Sequence, residues 1–266
     1  NPSSADALEN ARRRLIFEEF YVFFAALSLM RARRTVVSVP PYEETELSEF
    51  ENTLPFALTG AQKRVIAEIL RDFRSGRPMS RLVQGDVGSG KTMVAAAAAF
   101  CAAKNGRQTA LLAPTEILAR QHFERLSPLL APLGVRCCLL TGSLTPTQKR
   151  DLRAQIAAGE FDIVIGTHAL LTETTVFSAL GLVVADEQHR FGVAQRAALL
   201  EKGAHPHLLL MSATPIPRTL ALMMYGDLEV SVIDELPPGR QPVETFLVNE
   251  SYRARLNGFI RKQAEE

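Results

Sequence analysis

Cysteine is scarce, and what there is does not pair. Cys101, Cys137 and Cys138 are the only three. The adjacent two cannot bridge without severe local strain. None of them shows the recurring two-to-four-residue spacing of a zinc site. They read as free thiols that pack as small hydrophobes in a reducing compartment. Long apolar runs are also lacking. The most apolar early stretch, FYVFFAALSLM at residues 20–30, is flanked by Glu18, Glu19 and Arg31. It falls short of the roughly 20 residues that span a bilayer. No small-residue cleavage site follows it, so it does not read as a secretory leader. An excess of one charge is absent too, with 30 Lys+Arg against 29 Asp+Glu and a net charge of +1. Any face that meets a polyanion must therefore be local. No membrane association and a cytoplasmic location are expected.

What is present describes a globular chain. Hydrophobic residues make up 47% and charged residues 22% of 266 positions. That composition supports a real core and lacks the signature of disorder. The length allows one large domain or two small ones. Residues 1–10 are polar and read as frayed. Residues 11–34 read as one long helix with basic ends and an apolar middle, which expects burial on several sides. Residues 36–54 carry Pro40-Pro41 and the acidic residues Glu43, Glu44, Glu46, Glu49 and Glu51, and read as a linker.

Beyond the linker, short apolar runs alternate with helical periodicity. Strands are expected at 81–84, 109–113, 135–140, 162–165, 180–185 and 208–211. Helices are expected at 60–73, 91–103, 116–130, 146–158, 193–200 and 218–224. Strands that are apolar throughout and separated by helices predict a doubly wound, mainly parallel α/β sheet covered on both faces. Residues 237–240 read as a loop, 243–248 as a further strand and 252–266 as a helix. This looks like the opening of another α/β unit, so the chain reads as a piece of a longer one.

The strongest motif is Gly85-Asp86-Val87-Gly88-Ser89-Gly90-Lys91-Thr92. It fits the P-loop pattern, with a predicted strand running in and an alanine-rich helix running out. Glycines let the backbone wrap phosphate oxygens, and the helix N-terminus offers unpaired N–H groups. Lys91 is placed to reach the β- and γ-phosphates and Thr92 to ligate Mg²⁺. Chance gives such a match in on the order of one chain in a hundred at this length, before the strand–loop–helix context is required. A second acidic site completes the chemistry. An apolar strand ends in Asp186-Glu187, where Asp186 can hold Mg²⁺ and Glu187 can orient or deprotonate the attacking water.

Taken in chain order, the P-loop, DEQH at 186–189 and SAT at 212–214 resemble the motor core of superfamily 2 helicases. The resemblance implies a RecA-like P-loop NTPase domain using ATP and Mg²⁺. Phe56 to Gln62 (FALTGAQ) is similar to a Q-type motif, which implies that Gln62 reads the adenine edge and Phe56 packs on the ring. APTEILARQ at 113–121 resembles motif Ia, Thr141-Gly142-Ser143 the TGS motif, and Gly166-Thr167-His168 motif Ib. The resemblance implies that Pro114, Thr115, Arg120, Thr141, Gly142, Ser143, Thr167 and His168 hold the DNA backbone. It also implies that His189, Ser212, Ala213 and Thr214 couple nucleotide state to DNA grip. Arg190 and Phe191 form a basic–aromatic pair with two readings, a base-stacking contact or a ring buried under the loop. Arg120 likewise reads as a phosphate contact or a solvated helix residue. His205 and His207 read as unremarkable polar or surface residues.

Longer strings narrow the resemblance. LPFALTGAQKRVIAEI (54–69), DEQHRFGVAQR (186–196), SATPIPRTLA (212–221) and DLEVSVIDELPPGR (227–240) are similar to the RecG family of bacterial fork-remodelling helicases. Transcription-repair coupling factors share PIPRTL and are the nearest alternative. Gln188 and Ser212 favour the former. The implied layout is a helix and linker at 1–52 leading from a wedge domain, a first motor domain at 53–241, and the start of a second at 242–266. The implied partners are branched DNA, the second motor domain and the wedge domain, in a nucleoid-associated monomer. No string resembling Q-x-x-G-R-x-G-R, which supplies the catalytic arginine in this superfamily, occurs in the sequence. Two further readings stay open, a non-helicase P-loop switch or transporter subunit and a non-catalytic interaction module. The first would require a guanine-reading NKxD or an ABC signature, and neither is found.

Overall fold

Strands that are apolar on both faces belong inside a sheet covered on both sides. The computed structural model describes residues 4–34, 37–186, 198–213, 228–237 and 247–265. Among them, seven strands form one sheet in the order β3-β4-β2-β5-β6-β1-β7. They are β1 (Ser80–Gly85), β2 (Gln108–Leu112), β3 (Cys137–Leu140), β4 (Ile163–Gly166), β5 (Leu180–Ala185), β6 (His207–Ser212) and β7 (Glu229–Ile233). Every pairing is parallel. All carboxyl ends therefore lie along one edge, where open α/β sheets bind ligands.

Alternation along the strands splits the core into two layers. Val83, Leu111, Leu182, Val184, Leu209 and Met211 face one layer, with α3 (Gly60–Phe73), α4 (Lys91–Lys104) and α5 (Glu116–Leu130). Leu82, Ala110, Leu112, Val183, Ala185, Leu208 and Leu210 face the other, against Ile156 of α6 (Pro146–Ala157) and Leu199. Helix α4 is buried without interruption from Val94 to Ala102. Its five consecutive alanines let it lie close to the sheet while keeping helix propensity high. Threonine caps set three helix starts. Thr59 and Thr145 each close a capping box, with Gln62 and Gln148, and Thr115 accepts from the Leu118 N–H.

The structure bears out the doubly wound parallel sheet, and it corrects four finer expectations. The long helix α1 (Ala5–Arg34) starts earlier than expected, within the stretch read as frayed. Phe17 and Val22 on it are each 67% exposed, so the described residues do not include the surfaces that such a helix is expected to pack against. The acidic linker is docked. Val39 and Tyr42 donate backbone hydrogen bonds to Gly76 O and Phe73 O, and α2 (Ser48–Thr53) inserts a fully buried Phe50 that stacks on Phe100. Strand β7 at the sheet edge was not expected. Its burial alternates around Glu229 and Ser231, so it lacks the continuous apolar run of an interior strand. His207 is core rather than surface. It is packed edge-on by Tyr42 and against Phe73, and its Nδ1 accepts from the Met79 N–H at 2.9 Å.

Cys101 and Cys138 are buried and Cys137 half-buried, all as free thiols. Burial pushes the Cys101 thiol up to about 12, which leaves it inert. The C-terminal α7 (Arg253–Glu265) matches the helix expected at 252–266. The helix expected at 218–224, most of that at 193–200 and most of the strand at 243–248 lie outside the described residues. No described helix is long and apolar enough to cross a membrane.

Candidate nucleotide-binding site

The P-loop follows β1 and opens α4. Gly88 and Gly90 hold positive φ of 82° and 86°, the left-handed region where glycine is at ease. Gly90 is also the N-cap of α4, so the turn delivers the helix's free N–H groups into the loop. A Cβ at Gly85 would lie 2.5 Å from Ser89 Oγ, and one at Gly90 would lie 2.1 Å from Gln62 Nε2. Both glycines are therefore fixed by close approach. Ser89 Oγ is buried and has no hydrogen-bond partner among the described residues. Lys91 Nζ donates to the loop carbonyls of Gly85 at 2.6 Å and Asp86 at 2.9 Å, which holds the ammonium across the loop. Thr92 sits half-buried in the first turn of α4, and Asp86 and Val87 are exposed at the tip.

Gln62 ties the start of α3 to this loop. Its Oε1 accepts from the Thr59 N–H at 2.9 Å, and its Nε2 donates to Ser89 O at 2.8 Å. The side chain is 1% exposed, so an adenine would reach its amide only by exchanging one of these bonds. Phe56 is 46% exposed, free to offer a ring face. The Glu235 carboxylate accepts from the Ala61 N–H at 3.0 Å, a favourable charge at the amino end of α3. Sequence reasoning gave Glu235 no role.

Strand β6 lies between β1 and β5, with Gln84 opposite Ser212 and Ala185 opposite Leu210. Ser212 and Ala213 therefore sit between the P-loop and Asp186, one strand from each. Asp186 ends β5 with its backbone N–H on Leu112 O at 3.0 Å and its side chain 16% exposed. His122 of α5 places Nε2 2.8 Å from Asp186 Oδ2. This histidine also escaped sequence reasoning, since its burial on α5 follows only from the helix periodicity, and periodicity does not name a partner.

The loops expected to meet a nucleic-acid backbone follow β2, β3 and β4 on the same edge. Pro114 and Thr115 lead into α5, whose Arg120 is exposed. Thr141 is buried and shares a hydrogen bond with Ser143 Oγ at 3.0 Å. The Ser143 N–H donates to Glu116 Oε1 at 3.1 Å, and Lys149 Nζ donates to Gly142 O at 2.6 Å. A Cβ at Gly166 would lie 2.2 Å from Leu140 O, so the last position of β4 admits only glycine. Thr167 is buried and His168 exposed. Glu187, His189, Arg190, Phe191 and Thr214 lie outside the described residues.

The profile of the DEAD/DEAH box helicases matches residues 59–223. The chain belongs to the DEAD/DEAH box helicase family. Among its relatives, the ATP-dependent DNA helicase RecG of Synechocystis sp. is 48% identical over 100% of this chain and 32% of its own length. The RecG of Bacillus subtilis is 46% identical over 100% of this chain and 39% of its own length. The structure of RecG bound to a three-way DNA junction superimposes with a TM-score of 0.85 at 44% identity. It covers 97% of this chain and 35% of that one. The chain thus spans 32–39% of the length of the curated relatives named here. The DUF1998 helicase MrfA bound to DNA and AMPPNP, at 17% identity and a TM-score of 0.62, shares the fold. For this helicase family member the seven-stranded sheet is a RecA-like domain, as the motif order implied.

Proposed function

We propose that the chain is the ATP-binding half of the motor of an ATP-dependent DNA helicase or translocase that remodels branched DNA, such as stalled forks and Holliday junctions, in recombination and repair. The observation that carries this reading is the shared sheet edge. The P-loop, Asp186 and the loops at 114–115, 141–143 and 167–168 all follow strand carboxyl ends. The match to RecG over nearly the whole chain supports it and gives the substrate class. In this reading residues 53–241 form the first motor domain and 242–266 begin the second. Residues 1–52 lead from a wedge domain. The site operates in a bacterial cytoplasmic monomer.

The residues present fit Mg²⁺·ATP. The cradle has two left-handed glycines, a buried Ser89 hydroxyl without a partner among the described residues, and an ammonium already held across the loop. With the nucleotide bound, Lys91 would exchange its carbonyl partners for the β- and γ-phosphate oxygens. Thr92 and Asp186 would hold the metal, Glu187 would orient the attacking water, and Gln62 and Phe56 would take the adenine. Mg²⁺, when bound, neutralises charge that develops between the β- and γ-phosphates. The Thr- and Ser-rich loops donate to phosphate without reading bases, which suits movement over any sequence.

The test is a pair of measurements on the intact protein. Lys91→Ala is expected to abolish ATP hydrolysis and fork regression, and a variant that keeps both ends the motor reading. Forked DNA is expected to outcompete duplex RNA at a stated salt concentration. Equal competition would remove the assignment to DNA.

A further inference from the structure

Helix α5 touches both halves of the site with different side chains. At its amino end Glu116 Oε1 accepts from the Ser143 N–H, which pins the 141–143 loop. Further along the same helix His122 turns inward to Asp186 Oδ2 at 2.8 Å. Between them the helix is unbroken. Its one internal proline, Pro128, lies beyond His122. At a rise of about 1.5 Å per residue the two grips are roughly 9 Å apart along the axis. Ala119, Leu126 and Leu130 are fully buried, so the helix is seated in the core and not free to pivot at either grip alone. A packed helix of this kind moves as a unit.

We propose that His122 is a positioning residue that fixes the Asp186 carboxylate for the metal. We further propose that α5 links the grip on a nucleic-acid backbone at 141–143 to the metal shell. The proposal rests on the motor reading above and deepens it. The 2.8 Å contact between His122 Nε2 and Asp186 Oδ2 fixes the orientation of the carboxyl group at the end of β5. Removing such a partner of a metal ligand typically costs about 10- to 100-fold in metal affinity or activity. The coupling works in both directions by thermodynamic linkage. If the nucleic acid tightens metal–nucleotide binding, the metal–nucleotide must tighten the nucleic acid by the same factor. No motif string in the sequence encodes this connection, because α5 brings its two halves together in space.

The intact protein tests it with Mn²⁺ as the probe, its affinity read by electron paramagnetic resonance beside a non-hydrolysable ATP analogue. His122→Ala is expected to weaken Mn²⁺ binding by about tenfold or more. The KM for ATP should stay within about twofold, which separates positioning from a collapse of the nucleotide pocket. His122→Gln is expected to restore most of the Mn²⁺ affinity, since its amide nitrogen offers a donor at similar reach. A merely structural histidine would give no such rescue. Glu116→Ala is expected to shrink both the gain in Mn²⁺ affinity on adding forked DNA and the reciprocal gain in DNA affinity on adding Mg²⁺ and the analogue. Wild-type Mn²⁺ affinity in His122→Ala, or an undiminished reciprocal gain in Glu116→Ala, overturns the proposal. Should His122→Ala fail to fold, the Glu116→Ala comparison decides alone. The Lys91→Ala protein separates the two levels. If it loses hydrolysis while the coupling variants behave as wild type, the motor reading stands and this proposal falls. If it keeps DNA-stimulated hydrolysis, the motor reading falls first.

Discussion

Gly90 answers to two demands at once, a φ of 86° and a Cβ direction blocked by Gln62 Nε2. Alanine there meets left-handed strain and a clash with the side chain that ties α3 to the P-loop. Gly90→Ala is expected to lose roughly 1–3 kcal/mol of stability and to lose nucleotide binding. Urea unfolding and equilibrium titration of ATP check the two effects, and near wild-type affinity would refute the cradle geometry. His207 supplies a pH dependence. Burial, with Arg107 nearby, lowers its pKa to about 4 from the ordinary 6.5. The unfolded chain therefore takes the proton first as pH falls. The stability contributed by neutral His207 is fully present above about pH 6.5 and drains towards pH 4, at most by roughly 3 kcal/mol. Unfolding free energies between pH 7.5 and 4.5 should fall more steeply in the wild type than in His207→Asn, whose Oδ1 still accepts from Met79 N–H. At this scale the P-loop was legible because glycine, lysine and threonine at fixed spacing have few other uses. Glu235 and His122 were not, because their meaning lies in partners far away in sequence.

Among the elements, β1 carries the P-loop and is clamped by one side chain. Arg81, 7% exposed, donates to Asp72 at 2.8 Å, Glu68 at 3.1 Å and Ser231 Oγ at 2.7 Å, and Ser231 also donates to Glu68. The cluster joins α3, β1 and β7. Arg81→Met leaves two carboxylates facing each other without their cation, and breaking a buried pair costs about 3–5 kcal/mol. Glu68 and Asp72 are 29% and 25% exposed, so solvent softens the loss towards about 3 kcal/mol. Chemical denaturation measures it, and a loss under about 1 kcal/mol would show that β7 is not clamped this way. The same cluster explains why β7 was illegible in the sequence. Its inward-facing Ser231 is polar because Arg81 and Glu68 need a partner, and that breaks the apolar run by which β5 and β6 are recognised. Helix α2 escaped for a different reason. It has six residues, and its single buried anchor, Phe50, is too little to set a period. Strand β5 was legible because it is buried on both faces and carries no polar residue, and β1, β2 and β6 because their buried polar residues fall at or near the ends of an apolar run.

Across the whole molecule, two surfaces are uncovered by the described residues. Helix α1 exposes Leu15, Phe17, Tyr21, Val22 and Leu29 at 64–68% each, on both sides of the helix. The nucleotide edge carries Lys91, Thr92 and Asp186, yet no Q-x-x-G-R-x-G-R string occurs in the 266 residues. In related NTPases an arginine supplied from outside the P-loop domain raises the rate by about 10³–10⁵. The chain on its own is therefore expected to bind Mg²⁺·ATP weakly, to hydrolyse it slowly and to unwind nothing. Binding needs only the cradle, whose glycines, Lys91 and first turn of α4 are assembled within one sheet edge. Hydrolysis at a motor's rate needs positive charge on the far side of the γ-phosphate. Single-turnover ATP hydrolysis by the 266-residue chain, with Lys91→Ala as the blank and with and without forked DNA, measures the difference. A DNA-stimulated rate in the range of about 1–100 s⁻¹ typical of fast phosphoryl-transfer enzymes would mean that this chain completes its own active site. The arginine would then have to come from this chain's own residues, of which Arg120 is exposed on the helix that follows β2.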